Sequence, residues 1–321
     1  MTSTATTLRL DPWAAEYEAS IQVTEDAEPA RVDTGVECAT WAAVRPGPQP
    51  GAERLAFVDG VRRIEHRLLI ETGGRTVFGL VGSYAVGAVM VGSAARVESE
   101  RIGRVLVASG GAALEPFRVA VGRGPALVFE ARSEPENTPV APVDGLQKAM
   151  REQEARLTER LSTEVDVAFQ DGPLSFLFPP AAASVVGFVK RLQRAYLEPA
   201  FHALLPQLAT GERTPLFLIE GRELRYSWYQ RIAIGRPIEA ALTGVVRLET
   251  PASRGLDEAR RLADLAAREL PRFASDPRHD PRAPQNLFPV GGLESRLKHL
   301  LGDPAVVRRA IESQLHREVS A

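Results

Sequence analysis

Two apolar runs in this chain each end on an Asp-Gly pair: Leu55-Ala56-Phe57-Val58-Asp59-Gly60, and the run from Val165 through Phe169-Gln170-Asp171-Gly172-Pro173-Leu174. A run such as Leu-Ala-Phe-Val reads as a strand covered on both faces, and the polar residue after it marks where the strand leaves the core. Both acids are therefore expected at strand ends, where carboxylates on rigid elements can share a divalent cation. Asp-Gly is also common turn chemistry, with Gly supplying a positive φ and Asp capping its own backbone. Either pair taken singly is open to that reading.

A third acid comes from the segment 144–162, which has the periodicity of an amphipathic helix with an apolar stripe through Leu146, Met150, Leu157 and Leu161. Glu154 falls on that stripe, and an acid there needs a partner or a cation; Arg151 and Arg160 are the local alternatives. Glu152 lies about 200° around the helix from Met150 and should face solvent with Glu159. Three converging carboxylates repel one another by about 4 kcal/mol per pair at about 4 Å and an effective dielectric near 20, so a bound cation is what makes such a cluster tenable. All-oxygen ligands favour Mg²⁺ or Mn²⁺ over Zn²⁺, and such ions serve phosphodiester hydrolysis. Repulsion in a metal-free site also predicts that Asp171→Asn would not lower stability.

The chain has 321 residues, 44% hydrophobic and 25% charged, enough for a sizeable core in one large domain with an insertion or in two smaller ones. A formal net charge of −2 excludes a generally basic nucleic-acid coat, so contact with DNA would fall to local patches such as Arg62-Arg63, or Lys190-Arg191 with Arg194. Lys148, Lys190 and Lys298 are the only lysines among 39 basic residues, which singles out lysine positions as places wanting a compact charge. The lone Cys38 excludes an intrachain disulfide and a cysteine zinc site and suits a reducing cytoplasm. Met1–Leu10 lacks an apolar core, so no secretory signal is expected, and Val77–Gly92 is too short and Gly-rich for a membrane span.

Asp11-Pro12-Trp13 has the pattern of a helix start within an N-terminal segment, 1–50, of helical and irregular character. A strand and hairpin meander follows over 55–91, then short β-like runs over about 93–140, read as a small β insertion. The helix bearing Glu154 and the strand ending at Asp171 come next. Segment 181–209 reads as largely helical, Pro215–Glu220 and Leu242–Leu248 as strands, and Asp257–Phe273 as a helix. After an irregular stretch, Ser275–Pro289, a helix pair closes the chain. A β-meander followed by alternating β and α implies an α/β (α+β) mixed sheet with helices outside. No P-loop, dinucleotide fingerprint, histidine metal spacing or Gly-x-Ser-x-Gly elbow is present.

In order along the chain, Phe57-Val58-Asp59-Gly60, Arg151-Glu152-Gln153-Glu154-Ala155, Asp171-Gly172-Pro173-Leu174 and Val186-Gly187-Phe188-Val189-Lys190 resemble the motifs of the NurA nuclease family. The tail, Asp280-Pro281-Arg282-Ala283-Pro284-Gln285-Asn286-Leu287 with Gly291-Gly292-Leu293-Glu294, is similar to its bacterial members. The resemblance spans residues 50–305. It implies an RNase H-like core in a nuclease domain over 51–321, a Mn²⁺- or Mg²⁺-dependent DNA nuclease and a homodimer, working with a HerA-type hexameric ATPase in resecting DNA ends for break repair. On that pattern Asp59 and Asp171 match the two strand-end metal ligands, Glu154 the helix acid and Lys190 a basic position for the scissile phosphate. Glu152 stays an alternative in the helix, and Arg62 a further basic candidate. Archaeal members carry a Tyr and a His near the C-terminus, which this chain lacks at matching positions; Asp280, Gln285, Asn286 and Glu294 are the candidates for the remaining ligand. The rival is an RNase H-like adaptor that docks on such an ATPase without cleaving.

Overall fold

The computed structural model describes residues 31–48, 50–72, 74–174, 183–192, 195–221 and 223–319. The helix start expected at Asp11-Pro12-Trp13, and Arg194 of the basic patch, lie outside them. The strands are β1 (Arg31–Asp33), β2 (Leu55–Thr72), β3 (Arg75–Val91), β4 (Ala95–Ala108), β5 (Phe117–Val119), β6 (Leu127–Ser133), β7 (Val167–Asp171), β8 (Val185–Val189), β9 (Phe217–Glu220), β10 (Leu224–Arg231) and β11 (Val245–Pro251). They form one mixed sheet in the order β1-β9-β10-β11-β8-β7-β2-β3-β4-β6-β5. The helices are α1 (Ala141–Leu161), α2 (Pro199–His202), α3 (Leu256–Glu269), α4 (Phe288–Leu300) and α5 (Pro304–Val319). No described helix is long and apolar enough to cross a membrane.

The centre of the sheet follows from the apolar patterning. β2, β3 and β4 form an antiparallel meander, α1 crosses over, and β7 returns parallel to β2 with β8 parallel to β7. The order β4-β3-β2-β7-β8 is the topology of an RNase H-like core. Alternate residues of β2 feed two cores. Leu55, Phe57 and Val61 pack with α3 and α4 on one face, whereas Ala56 and Val58 pack with Leu146, Met150, Leu157 and Leu161 of α1 on the other. Phe57 stacks on Phe169 at 5.4 Å and meets the edge of Phe273 at 4.9 Å, which locks β2, β7 and the end of the α3 segment together.

Three expectations change. Asp59-Gly60 is not a strand end: β2 continues to Thr72, because β3 pairs with it straight through Asp59–Gly87 and Gly60–Val86. What ends there is the other neighbour, since β7 pairs with β2 only from Leu55 to Val58. Asp59 thus lies one residue beyond the last β2–β7 pair. Segment 181–209, expected to be helical, holds in its described part a strand, β8, and the four-residue α2. The β-branched run Val185-Val186 with Phe188 fills the sheet between β7 and β11, and that tertiary pairing overrides local helical preference. Finally, the β-rich stretch 93–140 divides. Residues 95–108 are β4, paired along β3 as the third long strand, and only β5 and β6 extend the sheet at its edge.

Candidate metal centre

Asp59 and Asp171 project on the same face of the sheet as Phe57 and Phe169, two residues before each, and that face is covered by α4. Glu294 of α4 comes down onto them, so Asp59, Asp171 and Glu294 each bring one carboxylate oxygen within 4.8 Å of the others. The counter-charges are unevenly shared. Lys190, just past β8 and 5% exposed at its side chain, donates from Nζ to Asp171 Oδ2 at 2.7 Å. Arg282 donates to Glu294 Oε1 at 2.6 Å. Asp59 has neither: its Oδ2 is buried and lacks a hydrogen-bond partner among the described residues. Burial first, then the Asp171 carboxylate, push the Asp59 carboxyl well above its usual range; Glu294 and Glu154 add to this and Lys190 opposes it.

Glu154 approaches from the other face. It is fully buried on α1, with its Oε1 aimed at the place a side chain on Gly60 would occupy, 2.5 Å from that ideal Cβ, and unpartnered among the described residues. Its Oε2 accepts from Arg151 Nη1 at 3.0 Å, and the same nitrogen donates to the Asp171 main-chain oxygen at 2.5 Å. Arg151 lies flat against Gly172, whose φ is +89°, and an ideal Cβ there would sit 2.7 Å from Arg151 Nη2. The two glycines of the Asp-Gly pairs therefore seat the two halves of one helix-borne ion pair. Burial raises the Glu154 carboxyl, with Arg151 pulling against it.

The remaining candidates separate clearly. Glu152 is half-exposed and paired with Arg132 at 2.7 Å, away from the acid cluster. Arg62, on the α1 face, donates to Gln147, and burial, then neighbouring Arg151, lower its pKa. Arg63 is engaged by Glu65 and by the carbonyls of Leu301 and Gly302 at the end of α4, and Lys190 by Asp171, so neither expected basic pair is an open patch. Asp280 and Asn286 are joined to each other at 2.6 Å, Asp280 reaches the cluster through Arg282, and Gln285 is buried nearby. Asp171→Asn acquires a different expectation, because the substitution would strip a buried lysine of its carboxylate.

Sequence reasoning passed over Arg282 and Glu249. Glu249 is wholly buried on β11, paired with Arg225 at 3.0 Å and with Arg247, and it accepts the Leu174 N–H at 2.9 Å, which anchors the chain just after Asp171. Gly187 leaves room for it, since an ideal Cβ would be 3.0 Å from Glu249 Cγ. Burial works against its ionised form, yet the two arginines hold its carboxyl below the usual range. Charged residues inside the apolar strand Val245-Val246-Arg247-Leu248-Glu249 were the available signal.

The donor set suits a hard divalent cation: carboxylate oxygens only, one of them buried and without a hydrogen-bond partner among the described residues, with Asp59, Asp171, Glu294 and Asp280 sharing Lys190 and Arg282. No family model matches the sequence, and no curated protein matches it. Among solved structures, the crystal structure of the NurA nuclease from Sulfolobus solfataricus is similar to this chain at 10% sequence identity, covering 87% of this chain and 88% of that one with a TM-score of 0.49.

Proposed function

We propose that this chain is a divalent-cation-dependent nuclease that hydrolyses phosphodiester bonds in DNA. The observation that carries the reading is the meeting of Asp59, Asp171 and Glu294 within 4.8 Å around a buried carboxylate oxygen that has no hydrogen-bond partner among the described residues. Asp59, Asp171 and Glu294 would hold Mn²⁺ or Mg²⁺, with Glu154 presenting its unpartnered oxygen from the α1 side of β2. The chemistry such an ion supplies is Lewis-acid polarisation of the phosphoryl group and a nucleophile available at neutral pH. The protein's own groups do the rest. Lys190 fixes the Asp171 rotamer through a 2.7 Å hydrogen bond and brings positive charge beside the acids, where it would offset charge developing on the phosphoryl oxygens. Arg151 ties the end of β7 to α1, so both acidic elements meet substrate with little reorganisation.

The motif resemblance to the NurA family supports a wider reading: a cytoplasmic homodimer that works with a HerA-type hexameric ATPase in resecting DNA ends at double-strand breaks. A net charge of −2 and the lack of an ATP-binding loop agree with a separate motor delivering the strand. The test is digestion of single-stranded DNA with and without Mn²⁺ by wild type and Asp59→Ala. Product that needs both the metal and Asp59 is the expected result. Equal product from the two proteins, or none from either, would refute the nuclease reading, and the latter would leave the non-cleaving adaptor.

A further inference from the structure

Glu294 is the one acid of the cluster carried by neither β2 nor β7, so something must hold α4 and this side chain in register with them. The tail contains two copies of a short pattern, Asp276-Pro277-Arg278 and Asp280-Pro281-Arg282. Both fold alike. In each, the aspartate Oδ1 accepts the N–H of the arginine two residues on at 2.8 Å, and the arginine side chain turns back onto the same carboxylate. The copies differ in surroundings. Arg278 is 80% exposed and, among the described residues, bonds within its own turn, whereas Arg282 is 13% exposed and extends a further nitrogen, Nη1, to Glu294 Oε1 at 2.6 Å.

The chain of contacts continues inward. Asp280 Oδ2 accepts from Arg282 Nη2 at 3.2 Å and from Asn286 Nδ2 at 2.6 Å, and Asn286 is completely buried. Gly291 in the first turn of α4 leaves this pair its space, since an ideal Cβ there would stand 3.3 Å from both Asn286 Nδ2 and Asp280 Oδ2. A planar fork gripped on one edge by a fixed carboxylate has the directions of its remaining N–H groups fixed as well, and one of those on Nη1 meets an acid. That acid is Glu294.

We propose that Arg282 is a positioning residue that fixes the Glu294 carboxylate within the acid cluster, oriented in turn by Asp280 and, through Asp280, by Asn286. This rests on the reading of the cluster as a cation site. Arg282 does not itself touch the cation; it removes rotamer freedom from one ligand, which otherwise must be ordered when the ion binds.

The test compares wild type, Arg282→Lys, Asp280→Asn and Arg278→Lys in three measurements: metal-free melting temperature, Mn²⁺ binding followed by loss of the free-ion electron paramagnetic resonance signal, and single-stranded DNA digestion at saturating Mn²⁺. Arg282→Lys keeps the charge and loses the fork. Asp280→Asn keeps the shape and loses the charged grip, and it stands in should the lysine variant fail to fold. Both are expected to bind Mn²⁺ about 10-fold more weakly, the size seen when groups supporting a metal ligand are altered. Arg278→Lys, the exposed copy, should bind as wild type does. If both Arg282→Lys and Asp280→Asn melt lower but bind Mn²⁺ with wild-type affinity, Arg282 is a structural staple and the proposal is overturned. Equal weakening by Arg278→Lys would overturn it as well. Wild type that binds no Mn²⁺ would instead refute the cation site itself, an outcome distinct from failure of the tether.

Discussion

Replacing Asp59 with Asn should stabilise the metal-free protein. Asp59 faces Asp171 and Glu294 at no more than 4.8 Å between ligand oxygens, and at an effective dielectric near 20 each like-charge contact of that length costs about 3.5 kcal/mol. Lys190 on Asp171 and Arg282 on Glu294 offset most of this, which leaves a net strain of about 1–2 kcal/mol, or about 1.5–3 °C in melting temperature for a chain of this size. An Asn amide in place of the orphaned Oδ2 could also donate to the neighbouring acids. The pH dependence gives the sharper test. Burial and the Asp171 charge raise the Asp59 carboxyl in the folded state, so the folded protein keeps a proton that the unfolded chain gives up. Stability is therefore full below the ordinary carboxyl range, falls as pH rises through the window up to the raised value, and is level beyond it. The Asn variant has no such loss, so its advantage should be near zero in the ordinary carboxyl range and grow as pH rises above it. Thermal unfolding of both proteins across that range, with chelator present, measures this directly. A variant that melts below wild type at pH 8, or an advantage that does not change with pH, would refute the reasoning.

The other acids respond differently. Asp171→Asn should lower the metal-free melting temperature, by about 1–3 kcal/mol in stability, because it leaves Lys190 buried without its carboxylate; the figure is below that of a fully buried pair because Asp171 is 18% exposed. A denaturant titration at pH 7 checks the sign, and an unchanged or raised midpoint would refute the assignment of the Lys190–Asp171 ion pair as stabilising. Gly60→Ala should cost about 1–3 kcal/mol, since its Cβ would fall 2.5 Å from Glu154 Oε1 and 3.0 Å from Met150 Cγ. Pairing it with Glu154→Ala should recover part of that loss in the same titration, and a purely additive double variant would count against the steric account.

Much of the architecture was legible in the residues. Runs with no polar member, Leu55–Val58 and Val167–Phe169, gave strands buried on both faces, and the stripe Leu146, Met150, Leu157 and Leu161 gave a helix that buries Glu154 with them. Local pattern misled at Asp59-Gly60, where turn chemistry is overruled by continuous pairing with β3, and at 185–189, where a strand depends on neighbours from distant segments. Glycine meaning was also hidden. Gly60 and Gly172 look like turn residues, and both make room for the Arg151–Glu154 pair.

The sequence by itself determined which acids would be held on rigid elements, because burial of apolar neighbours at period two or 3.6 forces the orientation of Asp59, Asp171 and Glu154. Only the tertiary structure decided which acids share a face and which carry a counter-charge. Glu294 joins Asp59 and Asp171 because α4 packs on their side of the sheet, Glu154 is set behind β2 because α1 packs on the other, and Lys190 falls on Asp171 because β8 lies beside β7. Electrostatic interaction depends on distance through space, and no spacing along the chain encodes that distance.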